Sequence, residues 1–520
     1  MNRSRMARRS TPALMFALFL TACGGSSSGP PVDSKLLQQR LDQFVATVTK
    51  PEAGSEMVAK AEGAAKVETQ SDGTVVGTLP RLTFQSKDGE SAVLDPITVK
   101  FSNAGDGLVN VEAVLPSTMS VKDKAGKVEG EIKIGSQTLK GVWVEKLQSI
   151  DKLDVRLGNI TITSPGEPGL AKIEQIAMTG GLTSKGGGLY DGRYDMTVKN
   201  FVADDPSDKT VMKMAAINVV TTMAGAKMED WAKAAKEAGY TLSNPDILKA
   251  WTGGEIDPKM IAFMKRMPDY MGTIDYSYSL SGLEMVQDGK LQFALKNTSF
   301  GMGVGPDNAG TTKVKMAFGV GGVSGAPEDP LLPPEADVKD ASMELEASGV
   351  PGRKLWEIYM DALPQLQAEA KKAAADTAKG GDATAAGAAV LEQMGTDMSA
   401  KAMEVLMASK LSIALNKLNL STPTAKMTGK GLASYLPAEN IMPEGKVSLR
   451  FTGIDALAKA MEKRGAKDEM AQQVMGVIAG VRAMGKPDPA SPKDDRAYII
   501  DIQMTKDGKV LANGQDMLAQ

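Results

Sequence analysis

The apolar and polar positions of this chain change period repeatedly, and the changes divide it into sheet and helix. From Ser34-Lys35 onward, Leu37, Leu41, Phe44, Val45 and Val48 share one side of a 3.6-residue period, which predicts an amphipathic helix. Between about Val75 and Val220 the period shortens to two, in short runs separated by Lys87-Asp88-Gly89, Asp106-Gly107 and Lys124-Ala125-Gly126-Lys127. Asp-Gly tolerates the positive φ angles of tight hairpins, so these strands are expected to pair antiparallel. A helical interval follows over about Lys227–Met267, clearest from Met228 to the terminating Gly239. Strict alternation returns where Ile274, Tyr276, Tyr278 and Leu280 are interleaved with Asp275, Ser277, Ser279 and Ser281, the pattern of a sheet with one buried face. Asp288-Gly289 turns into a strand carrying Phe293, Leu295, Phe300 and Met302, and a Pro- and acid-rich loop spans Gly325–Pro334.

An Ala-rich helical pair is expected next, over Lys354–Lys379 and Ala383–Ser409. Strands resume at Leu411–Leu415 and through Val447, Leu449 and Phe451. A single helix over Ile454–Met484 leads into a last strand, Tyr498–Met504, with a turn at Lys506–Lys509. Strand blocks punctuated by helices, without regular βαβ alternation, give an α+β fold class. We expect extended twisted antiparallel β-sheets, curved like a groove, with several helical insertions. Three related strings, Val198-Lys199-Asn200-Phe201, Leu295-Lys296-Asn297-Thr298 and Leu418-Asn419-Leu420, hint at two related halves. The expected division is an N-terminal β-rich half at 35–270 and a C-terminal one at 271–520.

The first 34 residues have a different character. Arg3, Arg5, Arg8 and Arg9 precede the stretch Leu14–Cys23, whose apolar run of roughly ten residues is half the ~20 a spanning helix needs. The order of charged region, short apolar region and small residues is that of a secretory signal. Leu20-Thr21-Ala22-Cys23 resembles the bacterial lipobox, which implies a signal peptide over 1–22 and lipidation of Cys23. Residues 23–34, with GGSSSGPP, have the composition of a flexible tether. Gly24 rather than Asp after the cysteine implies sorting to the outer membrane, facing the periplasm.

Composition narrows the chemistry. The chain has no histidine, and Cys23 is its only cysteine, which removes Ser-His-Asp and Cys-His nucleophiles and His- or thiolate-based metal sites. A net charge of −3 without a basic cluster argues against nucleic acid. Thirty-two methionines outnumber all the aromatic residues together. They either fill the core in the ordinary way or furnish a plastic apolar groove.

Few motifs remain. Ser149-Ile150-Asp151-Lys152 is an S-x-x-K string, in which a desolvated lysine could activate the serine, but Glu145, Lys146 and Asp151 surround it with charge. Gly25-Ser26-Ser27-Ser28-Gly29 fits G-x-S-x-G only formally, inside the tether. The glycines of Phe318–Gly325 lack the third glycine of a dinucleotide loop and read as a softened strand. Asp204-Asp205 and Asp494-Asp495 sit in turn contexts suited to solvation. Trp231, with Trp251, Phe263 and Met264, lines either a cavity or plain core.

Three stretches together carry a resemblance: MEDWAKAAKEAGY at Met228–Tyr240, GKVSLRFTGIDALAKAMEKRG at Gly445–Gly465, and DGKVLANGQDM at Asp507–Met517. Their order resembles an uncharacterised family of alphaproteobacterial envelope proteins known as a domain of unknown function. It is similar, more distantly, to AsmA-like and YdgA-like periplasmic proteins. The resemblance implies a long curved antiparallel sheet with packed helices and, for AsmA-like relatives, lipid handling. No functional residue transfers through it. The expected function is that of a non-enzymatic envelope lipoprotein, without cofactor or metal, held to the membrane by its lipid anchor. It would present a β-groove to lipid or another apolar ligand, or else serve as an assembly lipoprotein binding another envelope protein.

Overall fold

The computed structural model describes residues 32–517 apart from 50–56, 88, 148, 165–166, 206, 240–257, 309, 326–332, 379–397, 436–442, 466–467 and 493–495. These residues form a β-rich α+β fold with seven helices. The chain divides into two compact units, Met1–Pro206 with Thr221–Met271, and Ser207–Val220 with Gly272–Gln520.

The first unit opens with helix α1 (Ser34–Thr49). Eight strands follow, β1 (Met57–Glu62), β2 (Lys66–Thr69), β3 (Val75–Leu79), β4 (Arg81–Ser86), β5 (Ser91–Leu94), β6 (Ile97–Gly105), β7 (Leu108–Val114) and β8 (Thr118–Lys122). Four long ones complete the antiparallel ladder: β9 (Val128–Val144), β10 (Ser149–Ser164), β11 (Glu167–Gly186) and β12 (Leu189–Asp205). The Asp106-Gly107 turn joins β6 to β7 with both residues at positive φ, 50° and 74°, as an Asp-Gly hairpin requires. The core gathers around Trp143 and Phe101, both essentially inaccessible, with Leu37 and Leu41 delivered by α1. Gly77 permits that approach: a Cβ there would lie 2.8 Å from Leu41 Cδ1.

Strand β13 (Thr210–Ala226) leads to helices α2 (Met228–Glu237) and α3 (Pro258–Lys265). Trp231 of α2 packs against Phe263 of α3 with tilted rings 4.5 Å apart between centroids, and meets Tyr270 edge-on at 5.9 Å. With Ala234, Ala235 and Met260 they form a separate small core.

The second unit is built on β14 (Thr273–Gln287), β15 (Lys290–Pro306), β16 (Thr312–Gly325) and β17 (Asp340–Val350). Helices α4 (Gly352–Ala378) and α5 (398–407) intervene before β18 (Leu411–Ser421), β19 (Lys426–Tyr435) and β20 (Glu444–Thr452). Helices α6 (Ile454–Arg464) and α7 (Glu469–Met484) follow, then β21 (Lys486–Pro487), β22 (Tyr498–Met504), β23 (Val510–Ala512) and β24 (Gln515–Asp516). From β14 to β20 each strand pairs antiparallel with the next, and β20 pairs with β22.

The short strands expected between Val75 and Val220 are corrected here, since β9 to β12 run for 16 to 20 residues each. The cause is a local break in the two-residue period. Asn159 of β10 and Asn200 of β12 adopt φ of 52° and 48°, on either side of Glu174 of β11, whose carboxylate accepts a hydrogen bond from Asn200 Nδ2. Each left-handed residue moves the alternation by one position, so Leu153, Val155 and Leu157 are continued by Ile160 and Ile162. The second unit repeats the device with glycine. Gly282 of β14 (φ 62°) and Gly322 of β16 (φ 61°) occupy the register positions flanking Lys296 of β15.

The single helix expected over Ile454–Met484 is two. Helix α6 ends at Gly465 (φ 88°), and α7 starts afresh at Asp468, whose carboxylate accepts a hydrogen bond from Ala471 N at 3.0 Å and an ion pair from Arg464 at 2.9 Å. Amphipathic spacing on both sides of the break hides it from a periodicity reading. The two helices pack together, burying Leu457, Ala458, Met461 and Ile478 with Tyr498 of β22.

Gly453, between β20 and α6, is left-handed (φ 70°), and a Cβ there would fall 1.9 Å from Thr424 O. Gly453→Ala is therefore expected to cost at least about 2 kcal/mol, from the left-handed strain and the backbone shift together; chemical denaturation measures it. The Asp468 carboxyl is held below its ordinary value by the Ala471 N–H and then by Arg464. A depressed carboxyl stabilises the fold above the ordinary carboxylate range and loses that contribution as pH falls through its folded value. The stability gap between the native protein and Asp468→Ala is expected to be full at pH 7 and to shrink on acidification, as thermal melts across pH would show.

Candidate apolar binding surface

Alternation in β14–β22 separates the side chains of the second unit's sheet into two chemically opposite faces. Register carries one row straight across eight strands: Tyr276, Met302, Met316, Leu345, Leu415, Gly431, Val447 and Ile502. The neighbouring row reads Tyr278, Phe300, Phe318, Met343, Leu418, Gly429, Leu449 and Ile500. The hydroxyls of Tyr276 and Tyr278 are the polar groups of these two rows, and a third, from Ile274 through Val304, Val314, Ala347 and Ile413 to Met504, has none. The fourth, Leu280 to Tyr498, contains one hydroxyl-bearing aliphatic residue, Thr298. The bulge at the middle of β18 keeps Leu415 and Leu418 on this face despite their odd spacing. At about 4.8 Å per strand the rows extend about 34 Å across the sheet.

The reverse face is polar. Ser277, Ser279, Ser299, Glu344 and Lys417 occupy it at one side, and Lys446, Ser448, Arg450 and Asp501 at the other. Lys446 and Asp501 form a 3.1 Å ion pair there, in a recess of about 350 Å³ that also involves Lys486 and Asn513. Asp501 is held below the ordinary carboxylate value by Ser448 and then by Lys446.

Cover on the apolar face is uneven. Near β20 and β22 the α6–α7 pair closes over Phe451 and Tyr498, and Ile500 is only 4% exposed. In β15–β18, Met302 (43%), Phe318 (41%), Met316 and Ile413 remain exposed. Phe300 and Phe318 stack at 5.2 Å, and Tyr276 lies 6.4 Å from Phe300. Among the described residues, 11 of the 21 exposed large apolar side chains are methionines, whereas Met260, Met360 and Met461 are buried. Core filling therefore accounts for few of them; the methionine excess is a surface property.

The other candidates take structural places. Ser149 starts β10, and Lys152 is exposed on a left-handed residue (φ 51°), without the burial that would activate a Ser-Lys pair. Asp151 between them is occupied as a bracket, accepting hydrogen bonds from Lys152 N and Leu182 N. The glycine run of 318–325 is the C-terminal part of β16, paired with β15 to its end and with β17 as far as Gly321. Asp204 and Asp205 end β12, and no group of three or more metal-ligating side chains occurs among the described residues. Trp231 belongs to the small α2–α3 core. Glu229 of α2 accepts from Tyr190 Oη at 2.8 Å and pairs with Lys146 at 3.0 Å; Lys146 and then Tyr190 lower its carboxyl, and Tyr190 and then Glu229 raise the lysine. They dock α2 on the sheet. Cys23, its lipobox, the tether, Trp251 and Asp494-Asp495 lie outside the described residues.

Met316 is not evident in the sequence pattern because the glycines of β16 resemble a loop motif. The signal was present: Val314, Met316, Phe318 and Val320 alternate as strictly as Ile274–Leu280.

Because Met302 and Phe318 already meet solvent, Met302→Ser and Phe318→Ser are each expected to change stability by less than about 1 kcal/mol. Phe101→Ala, in the first unit's core, is expected to cost about 3–5 kcal/mol. Urea denaturation of the three variants checks the contrast.

Residues 277–512 match the sequence model of a family described as an uncharacterised protein conserved in bacteria (DUF2125). The matched stretch contains β15 to β20, and so the apolar rows apart from Ile274 and Tyr276 of β14. No curated protein and no solved structure matches the chain.

Proposed function

We propose that this protein is a non-enzymatic envelope lipoprotein, tethered through Cys23 to the outer membrane on its periplasmic side, whose second unit binds the hydrocarbon of a lipid. The observation that carries the reading is the apolar face of β14–β18, left open to solvent at Met302, Met316 and Phe318. An exposed apolar patch of this kind marks an interaction site. Its chemistry selects the occupant. An extended peptide laid on these rows would strand backbone amides against side chains that, Tyr276, Tyr278 and Thr298 apart, offer no partner, at about 1–3 kcal/mol each. Hydrocarbon has no such cost. An acyl chain, about half of the ~30 Å bilayer core in length, needs roughly three inter-strand spacings. Methionine suits the task, since its flexible thioether adapts to chains of differing shape. Curvature of the sheet into a groove would let the rows wrap the ligand.

A second reading, assembly with another envelope protein, draws on α7. Val477 is 69% exposed there, and Gly480 faces open space.

Native mass spectrometry of the mature body, produced in the periplasm with Cys23→Ser, separates the two. A mass increment that organic extraction removes as phospholipid is expected. A clean apo mass together with cross-linked protein partners would transfer the proposal to the assembly reading.

A further inference from the structure

We propose that Met302 and Met316 form an oxidation-sensitive switch within the apolar face, through which peroxides or hypohalous acids weaken ligand binding. The inference rests on the hydrocarbon-binding reading above and adds its regulation. The two methionines are direct cross-strand partners on β15 and β16, so their side chains leave the sheet side by side on the same face. Both are exposed, at 43% and 37%, and they sit beside the exposed Phe318 in the open part of the face. On β20 and β22 the same two rows carry Val447, Leu449, Ile500 and Ile502 instead. Sulfur is thus placed where solvent oxidants reach it.

The chemistry is complete as written. The thioether sulfur attacks the peroxide oxygen, the O–O bond breaks, and an S–O bond forms. The thioether is oxidised by two electrons to the sulfoxide, and hydrogen peroxide is reduced to water. With hypochlorous acid the O–Cl bond breaks and chloride and a proton leave. The product is a polar acceptor in two rows whose donors are confined to the Tyr276 and Tyr278 hydroxyls on β14, and Met316 has only Met302 and Leu345 as its cross-strand neighbours. A hydrocarbon ligand covering it would bury that acceptor unpaired. The open face hydrates it readily in the unliganded protein, so binding suffers while the fold does not. Met260, Met360 and Met461, 4%, 2% and 1% exposed, are internal controls that a solvent oxidant reaches slowly.

The test uses the full mature chain with Cys23→Ser and the apolar fluorophore N-phenyl-1-naphthylamine. Hydrogen peroxide treatment followed by peptide mapping is expected to oxidise Met302 and Met316 well before the three buried methionines. Probe affinity is expected to fall about tenfold, the equivalent of one unpaired polar group on burial, and to return after methionine sulfoxide reductase treatment. The double variant Met302→Leu/Met316→Leu keeps the volume and apolarity, so it is expected to bind the probe normally and to resist peroxide. Uniform oxidation of exposed and buried methionines, an unchanged affinity after oxidation, or equal peroxide sensitivity of the leucine variant would each overturn the switch while leaving the binding reading intact. Failure of the untreated protein to bind the probe would overturn both.

Discussion

Everything distinctive in the second unit follows from one constraint: an antiparallel sheet sorts alternate residues onto opposite faces, and here one face has almost no polar group to offer water. In an ordinary domain such a face is closed by helices or a second sheet. The α6–α7 pair does this at β20 and β22, around Met461, Ile478 and Tyr498. Over β15 and β16 the same chemistry stays open, with Met302, Met316 and Phe318 exposed. An apolar surface this extensive invites aggregation, so its persistence calls for a partner that covers it.

The first unit shows the contrast. There α1 closes over β3, β6, β7 and β9 through Leu37 and Leu41, with Trp143 and Phe101 fully buried, while Met178 and Met196, paired across β11 and β12, stay exposed. Both units nevertheless use the same device to keep long strands single-faced. Asn159 and Asn200 flank Glu174 in one, and Gly282 and Gly322 flank Lys296 in the other. A left-handed residue in alternate strands slips the side-chain alternation without ending the strand. The strings around Asn200 and Lys296 that look alike in the sequence mark these positions. The third, around Asn419, lies just after the bulge in β18.

Much of this was legible from the residues. The hairpins at Asp106-Gly107 and Asp288-Gly289, the Trp231 helix and the alternation of Ile274–Leu280 all stand where the sequence pattern placed them. Strand lengths in the first unit were not, because a period-two reading ends at every slip such as Leu157 to Ile160. Nor was the α6–α7 break, because apolar spacing continues through it. The methionine excess was visible as composition alone. Its location required register, since only pairing shows that Met302 and Met316 meet while Met260 and Met461 turn inward.

The most direct measurement places a reporter on each side of the sheet. In the Cys23→Ser background, bimane attached at Phe318→Cys would report the apolar face. The same label at Leu432→Cys, an exposed position on the polar face, would serve as the control. Titration with a nitroxide-bearing stearate is predicted to quench the label at 318 saturably and to leave 432 nearly untouched. Equal quenching at both positions, or none at 318, would contradict the assignment of this face to hydrocarbon.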